Sequence, residues 1–432
     1  MQDLKLILFS ILLLLGGCFA AFTIQSDQFY LTPVEISLPS ETAINSGRLF
    51  AGSNGNLAIV GYTQTVVDNV NTYQLIIRTI NSTTLIANEV DTTISETFQS
   101  DTDPIFASTS DGYLAFATVK ANSTTTTVKQ VFLHTMLLNG TTYQTTQLTD
   151  NDDSLISFIP QQLWYQNEQI NIVYLQSDLT NGRNVLVQGL RLEDLSITNI
   201  AQLSGSIPTG SQQDAKCTPA YNSNTAYCIW KRTNDLSVMA ARMSVGSFGS
   251  DEATVLYQDN TAAGNIYQPS LVFSAKNFYG ALVLASTANE SGITNYTVFG
   301  RFSNSDEAIN LTSVNLTPDL AVSYSVDSCL GYFDGILMAF SESYQSGVTS
   351  YRYQLYHPNN TANGSEVEIA VDATTVQYVV DSSSRVYTLI LGDDGSGSNL
   401  WLGVLMDSSF GLCLSINYFL MIIMTLVFVL IN

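Results

Sequence analysis

Seven times along this chain an apolar run follows a small polar turn, at a nearly constant interval. The runs begin at Leu57, Tyr113, Ile170, Ala226, Gly280, Gly335 and Val386, which spaces them by 56, 57, 56, 54, 55 and 51 residues. A period of that size, kept for that many turns, restricts the fold to a repeat architecture. Each unit is one supersecondary module, and its apolar faces are covered only by stacking on its neighbours.

The units share an internal order. A strand of mixed character opens each one, as at 104–108 and 269–273. A turn rich in Asn, Asp, Gly and Ser follows, as at 53–56, 110–112, 222–224 and 382–384. Such residues tolerate positive φ and mark hairpins. The apolar strand comes next, and its continuous hydrophobicity predicts burial on both faces. A third strand is expected at 73–80, 131–138, 184–192, 237–243, 296–302, 351–356 and 400–406. A more polar fourth strand closes the unit, as at 84–87, 252–255 and 366–369. No helical period interrupts residues 21–407. The expected fold is therefore all-β: a seven-bladed β-propeller of four-stranded antiparallel blades. The last unit runs out after its third strand, whereas the chain begins with a spare strand, 33–37. That strand is similar to the fourth strand at 366–370, so it is expected to complete the last blade and close the ring. Closure removes the exposed edges of an open array.

The two ends carry different information. Residues 1–20 have a lysine at position 5, an apolar run over 6–15 and small residues before Ala20, the pattern of a secretory signal. Gly16, Gly17 and Cys18 also fit a bacterial lipoprotein box, which keeps that alternative open. Residues 416–432 are strongly apolar, and no charged residue follows Asp407. A stop-transfer helix usually carries basic residues behind it. Small residues at Asp407, Ser408 and Ser409 before a terminal apolar tail instead fit a GPI-attachment signal over 408–432, with a C-terminal membrane helix as the alternative. The expected location is the outer leaflet of the plasma membrane, facing outward.

Charge narrows the partners. Asp and Glu number 37 against 15 Lys and Arg, a formal net charge of −22. Such a surface repels nucleic acid, so a protein or glycan ligand is the expected partner beside the membrane anchor. Nine Asn-x-Ser/Thr sequons, at Asn81, Asn122, Asn139, Asn289, Asn295, Asn310, Asn315, Asn359 and Asn363, are glycan acceptors in an exported chain. None falls in the first two strands of a unit. Of five cysteines, Cys18 and Cys413 lie in the terminal segments. Cys217 and Cys228 flank the turn at 222–225, and a disulfide between them is expected. Cys329 is then expected to be a buried small apolar residue.

Gln268-Pro269, Trp230, Asp334-Gly335 and Gly300-Arg301-Phe302 resemble, in pieces, the propeller repeats of secreted bacterial and protist surface proteins. The resemblance implies architecture only, because a single second strand carries the tryptophan.

Chemistry-bearing residues are few. His134 and His357 fall on third strands of different units and are expected to be surface or partly packed, which leaves little material for a histidine-based triad or metal centre. Arg78, Arg191, Arg242 and Arg301 recur on third strands but belong to different units. Acidic residues gather toward the joins between units: Asp101, Asp103, Asp150, Asp152, Asp153, Asp214, Asp259 and Asp327. Carboxylates suit Ca²⁺, the one cofactor considered, although Asp150-Asn-Asp-Asp153 lacks the glycine and final glutamate of a calcium loop. Those joins share one face, at the channel mouth, which becomes the default site. The expected function is a non-enzymatic binding, adhesion or coat protein. A carbohydrate-active enzyme using paired carboxylates is the alternative.

Overall fold

The computed structural model describes residues 24–25, 29–31, 34–36, 48–51, 56–67, 70–86, 92–108, 112–121, 129–138, 143–150, 156–178, 182–203, 212–219, 224–245, 253–257, 266–274, 279–288, 294–303, 312–315, 322–332, 335–344, 349–356, 362–369, 372–380, 385–393 and 398–407. The segments read as export and anchor signals, 1–20 and 408–432, lie outside them. Among the described residues no helix is long and apolar enough to cross a membrane.

The chain is an all-β propeller. Six sheets have four antiparallel strands each, consecutive in the chain. The third sheet shows the plan: Ile156–Gln166, Gln169–Asp178, Gly182–Arg191 and Ile197–Gln202, in that spatial order. Its second strand is buried from Ile170 to Leu175, with Asn171 the one polar residue among them, and half-buried beyond. Across the molecule the second strands begin at Asn56, Tyr113, Gln169, Thr225, Tyr279, Gly335 and Val386.

The expectation of seven equivalent four-stranded blades is corrected in one respect. Six sheets have that form, and the remaining sheet has six strands. Asp372–Val380, Val386–Asp393 and Ser398–Asp407 supply three of them. The N-terminal chain supplies the others. Val34–Ile36 lies antiparallel to Ser398–Asp407, with Val34 opposite Leu402 and Ile36 opposite Leu400. Phe29–Leu31 pairs farther along the same strand, Phe29 opposite Asp407, and Ile24–Gln25 pairs with it in turn. Pro33 separates the two segments in sequence. Proline has no N–H to give a ladder, so one uninterrupted edge strand is disfavoured there.

Hydrophobic clusters join neighbouring sheets. Val173 and Leu175 of the third sheet pack with Cys228, Trp230 and Met239 of the fourth. Ile170, Ile172 and Tyr174, on the other face of the same strand, pack with Ala115, Val131 and Leu133 of the second sheet. Ile36, Tyr387 and Leu389 of the last sheet pack with Leu49, Leu57 and Ile59 of the first. Side chains also satisfy inner-edge amides across sheets. Gln162 Oε1 accepts from the Cys217 amide at 2.7 Å, and Gln377 Oε1 accepts from the Leu49 amide at 3.0 Å.

The inner strands share an irregularity. Register shifts occur at Pro160/Gln162, Gln213/Lys216, Pro269/Leu271, Val326/Ser328 and Ala373/Thr375. A bulge adds an unpaired residue and bends the strand, which here recurs on five successive innermost strands.

Cys217 and Cys228 face each other across the first two strands of the fourth sheet and form a disulfide, buried within the cluster shared with the third sheet. Cys329 occupies the inner strand two sheets later, where its cross-strand neighbour is Met338. Closing a loop of 11 residues restricts the unfolded chain. Replacing both Cys217 and Cys228 by alanine is expected to remove about 3 kcal/mol of stability, read as a lowered denaturation midpoint against the oxidised wild type.

Candidate functional site

The expected acidic constellation separates into two groups. Asp101, Asp103 and Asp150 lie in joins between sheets, as the sequence suggested. Asp101 pairs with Lys129 at 3.7 Å, and the Tyr73 hydroxyl donates to Asp103 Oδ1 at 3.2 Å. Burial and that carboxylate together push the Tyr73 phenol up to about 12. Asp214 and Asp327 instead lie inside inner strands, at the bulges, which corrects their placement in connections. Asp214 is exposed with φ of 52°. Asp152, Asp153 and Asp259 lie outside the described residues. Among the described residues no group of three or more His, Cys, Asp or Glu is placed to hold a metal ion.

His134 is a second correction: it is buried rather than superficial. It stacks on Phe116 with ring centroids 4.6 Å apart and meets Phe98 of the preceding sheet edge-on at 5.1 Å. Its Nε2 is hydrogen-bonded to Thr118 Oγ1 at 2.8 Å, and its Nδ1 to the Tyr143 hydroxyl at 2.7 Å and to Thr145. Neutral hydroxyls supply no counter-charge. Burial therefore lowers the imidazole to about 3, with Lys120 adding to the effect. A neutral ring wedged between two sheets acts in packing, and no carboxylate is among its partners. His357 lies outside the described residues.

The recurrent arginines do not converge. Arg78 is buried in the first sheet, and Arg191 stands exposed at the end of the third strand of the third sheet. Arg191, however, belongs to a recess that sequence reasoning did not find.

That recess, of about 550 Å³, lies between the second and third sheets. Tyr113, Thr135 and Gln144 of the second sheet form one wall. The other comes from two turns of the third sheet: Tyr165 to Gln169 between its first two strands, and Arg191, Leu192 and Glu193 between its last two. The first-to-second and third-to-fourth turns share the face opposite the joins between sheets. The recess therefore opens away from the channel mouth expected as the default site.

Local chemistry explains its shape. Asn167 and Glu168 both have positive φ, 56° and 58°, as a two-residue type I′ hairpin requires. Asparagine adopts that region readily, whereas a glutamate there stores strain of about 1 kcal/mol. In the neighbouring turn Leu195, with φ of 53°, donates its amide to the Arg191 carbonyl at 3.0 Å. Asp194 caps the same turn by accepting from the Ser196 amide at 2.9 Å, and the Ser196 hydroxyl together with that amide lowers its carboxyl. The two turns hold Glu168, Arg191 and Glu193 at one rim.

The fold and recess define a β-propeller with a polar cleft between adjacent blades. No protein-family model matches the chain, and no curated protein matches its sequence. Solved structures match its shape. A polysaccharide lyase, Uly1, superposes with a TM-score of 0.52 at 9% identity, covering 88% of this chain and 98% of its own. An α-L-arabinanase of Penicillium chrysogenum gives 0.41 at 9% identity, over 89% and 98%. A protein of unknown function from Dyadobacter fermentans gives 0.45 at 10%, over 89% and 99%. At these identities the likeness concerns fold.

The buried imidazole has a testable consequence. The unfolded chain binds a proton at His134 near pH 6.5, whereas the folded chain resists it down to about 3. This term leaves stability untouched above pH 6.5 and erodes it as pH falls toward 3, by on the order of 5 kcal/mol in all. His134→Gln keeps hydrogen-bonding capacity and cannot titrate in this range. Its denaturation midpoint is expected to fall less steeply than wild type between pH 6.5 and 3. Parallel curves for the two proteins would refute the assignment.

Proposed function

We propose that this protein is an extracellular β-propeller that engages carbohydrate in the recess between its second and third blades. The observation that carries the reading is the composition of the lining. Tyr113 and Tyr165 supply aromatic ring surface. Gln144, Asn167, Gln169, Glu168, Glu193 and Arg191 supply planar polar groups. A sugar ring presents an apolar C–H face, which packs on an aromatic ring, and a rim of hydroxyls. Those hydroxyls donate to carboxylate and amide oxygens and accept from amide and guanidinium N–H. The polysaccharide lyase that shares the fold acts, by its name, on a polysaccharide, in agreement with this reading.

A second reading, a carbohydrate-active enzyme, is favoured by the presence of both Glu168 and Glu193 in that lining. Two carboxylates flanking a glycosidic bond are the usual requirement for its hydrolysis. A glycan array probed with the purified chain tests the common proposal. Binding is expected, and Tyr165→Ala is expected to weaken it at least about tenfold, by loss of an aromatic contact area. A blank array would reject carbohydrate recognition. Reducing ends released from bound oligosaccharide, and lost in Glu168→Gln or Glu193→Gln, would establish the enzyme; intact ligand would establish the binder.

The setting belongs to the same proposal. Residues 1–20 act as an export signal, residues 21–407 form the propeller and residues 408–432 direct GPI attachment at Asp407, Ser408 or Ser409. The last six-stranded sheet serves as a seventh blade that closes the ring. Glycans occupy the sequons. Asn81 suits this role, being exposed at a turn where its Oδ1 accepts from the Thr83 and Thr84 amides, a bonding that leaves Nδ2 to carry the sugar. Phosphatidylinositol-specific phospholipase C is expected to release the protein from intact cells. Retention on the membrane would replace the lipid anchor by a C-terminal helix.

A further inference from the structure

The charge of the recess selects among saccharides. Its lining holds one guanidinium, Arg191, and two carboxylates, Glu168 and Glu193, a net charge of −1. Asp194, adjoining the same rim and accepting from the Ser196 amide, adds a third carboxylate. The whole chain carries −22. A ligand bearing uronate, sialate or sulfate groups would approach a negative surface. Inside the recess it would find a single cation and two carboxylates. Its repulsion would act at short range, within a Debye length of the exposed carboxylates at the rim.

Resting on the carbohydrate reading above, we infer that the recess is specific for neutral saccharides and discriminates against acidic ones. Neutral hydroxyls match the lining without an unbalanced charge. Glu168 and Glu193 accept hydroxyl protons, Gln144 and Gln169 offer both a donor and an acceptor, and Arg191 donates to ring or hydroxyl oxygens. In this arrangement Arg191 serves as a hydrogen-bond donor rather than an anion anchor. Exclusion is then built in by the two glutamates, which act against the wrong ligand as much as for the right one.

Isothermal titration of the full chain separates the possibilities. The probes are cellohexaose, xylohexaose, maltohexaose and chitohexaose as neutral ligands, and oligogalacturonate and a sulfated hexasaccharide as acidic ones. At least one neutral ligand is expected to bind, with an affinity that changes less than about twofold between low and moderate salt. The acidic ligands are expected to bind at least about tenfold more weakly than that ligand. The double variant Glu168→Gln, Glu193→Gln is expected to narrow that gap, and Arg191→Gln to leave it in place. Acidic ligands that bind as well as neutral ones, with salt-sensitive affinity lost in Arg191→Gln, would overturn the inference while leaving carbohydrate recognition intact. Binding of no probe would overturn both.

Discussion

Among the described residues the second strands bury both of their faces against neighbouring sheets, and neither face can meet water. That constraint organises the rest. In the third sheet, Val173 and Leu175 are buried against the fourth while Ile172 and Tyr174 are buried against the second. A strand buried on both faces, as this one is from Ile170 to Leu175, cannot lie on a two-layer sandwich with one wet side. It needs a neighbour on each side, and that neighbour needs another. The packing therefore continues from sheet to sheet, and the last sheet meets the first through Ile36, Tyr387, Leu49 and Leu57. The tie is polar as well: the Tyr387 hydroxyl donates to the Ser82 carbonyl at 3.4 Å, and Gln377 accepts from Leu49.

Burial of both faces has a consequence for function. It leaves the turns and the strand edges as the surfaces on which variation is tolerated. The recess between the second and third sheets is made almost wholly from such positions. Its rim is set by turns whose leucine, asparagine and glutamate residues adopt left-handed backbone. The strands beneath them are buried, so the backbone positions of Glu168, Arg191 and Glu193 follow from the hairpins. His134 belongs to the other category. It is a polar group consumed by the interface between two sheets, neutral because burial disfavours its charged form and Lys120 adds to that.

Much of the fold was legible in the sequence. The apolar runs recur at the interval of the sheets, and the observed second strands start at Asn56, Tyr113 and Gln169, beside the runs read from Leu57, Tyr113 and Ile170. The similarity of 33–37 to a fourth strand pointed to the edge that Val34–Ile36 occupies against Leu400 and Leu402. The turn at 222–225 placed Cys217 opposite Cys228. The additional strands of the last sheet were not legible, because Ile24–Gln25 and Phe29–Leu31 are too short to show a period. Asp214 and Asp327 looked like loop acids, because a bulge carries no pattern that distinguishes it from a turn. The recess was missed for a related reason. Its residues are 80 apart from Tyr113 to Glu193, and none has a motif. A hairpin closed by Asn167-Glu168 also lacks the glycine that usually announces such a turn.

Sequence alone determined the quantities that repeat: the strand class, the unit length, the cross-strand cysteine pair and the strongly acidic surface. Each is a local property, set by side-chain alternation, by turn chemistry or by composition, and periodicity multiplies a weak local signal until it can be read. Only the tertiary structure decided what occurs once: that the last sheet takes in three N-terminal segments, that His134 is sealed between sheets, and that one arginine among several meets two glutamates and two tyrosines in a cleft. Those features arise where residues distant in the chain are brought within a few ångströms by packing, and no single segment contains the information about its neighbour.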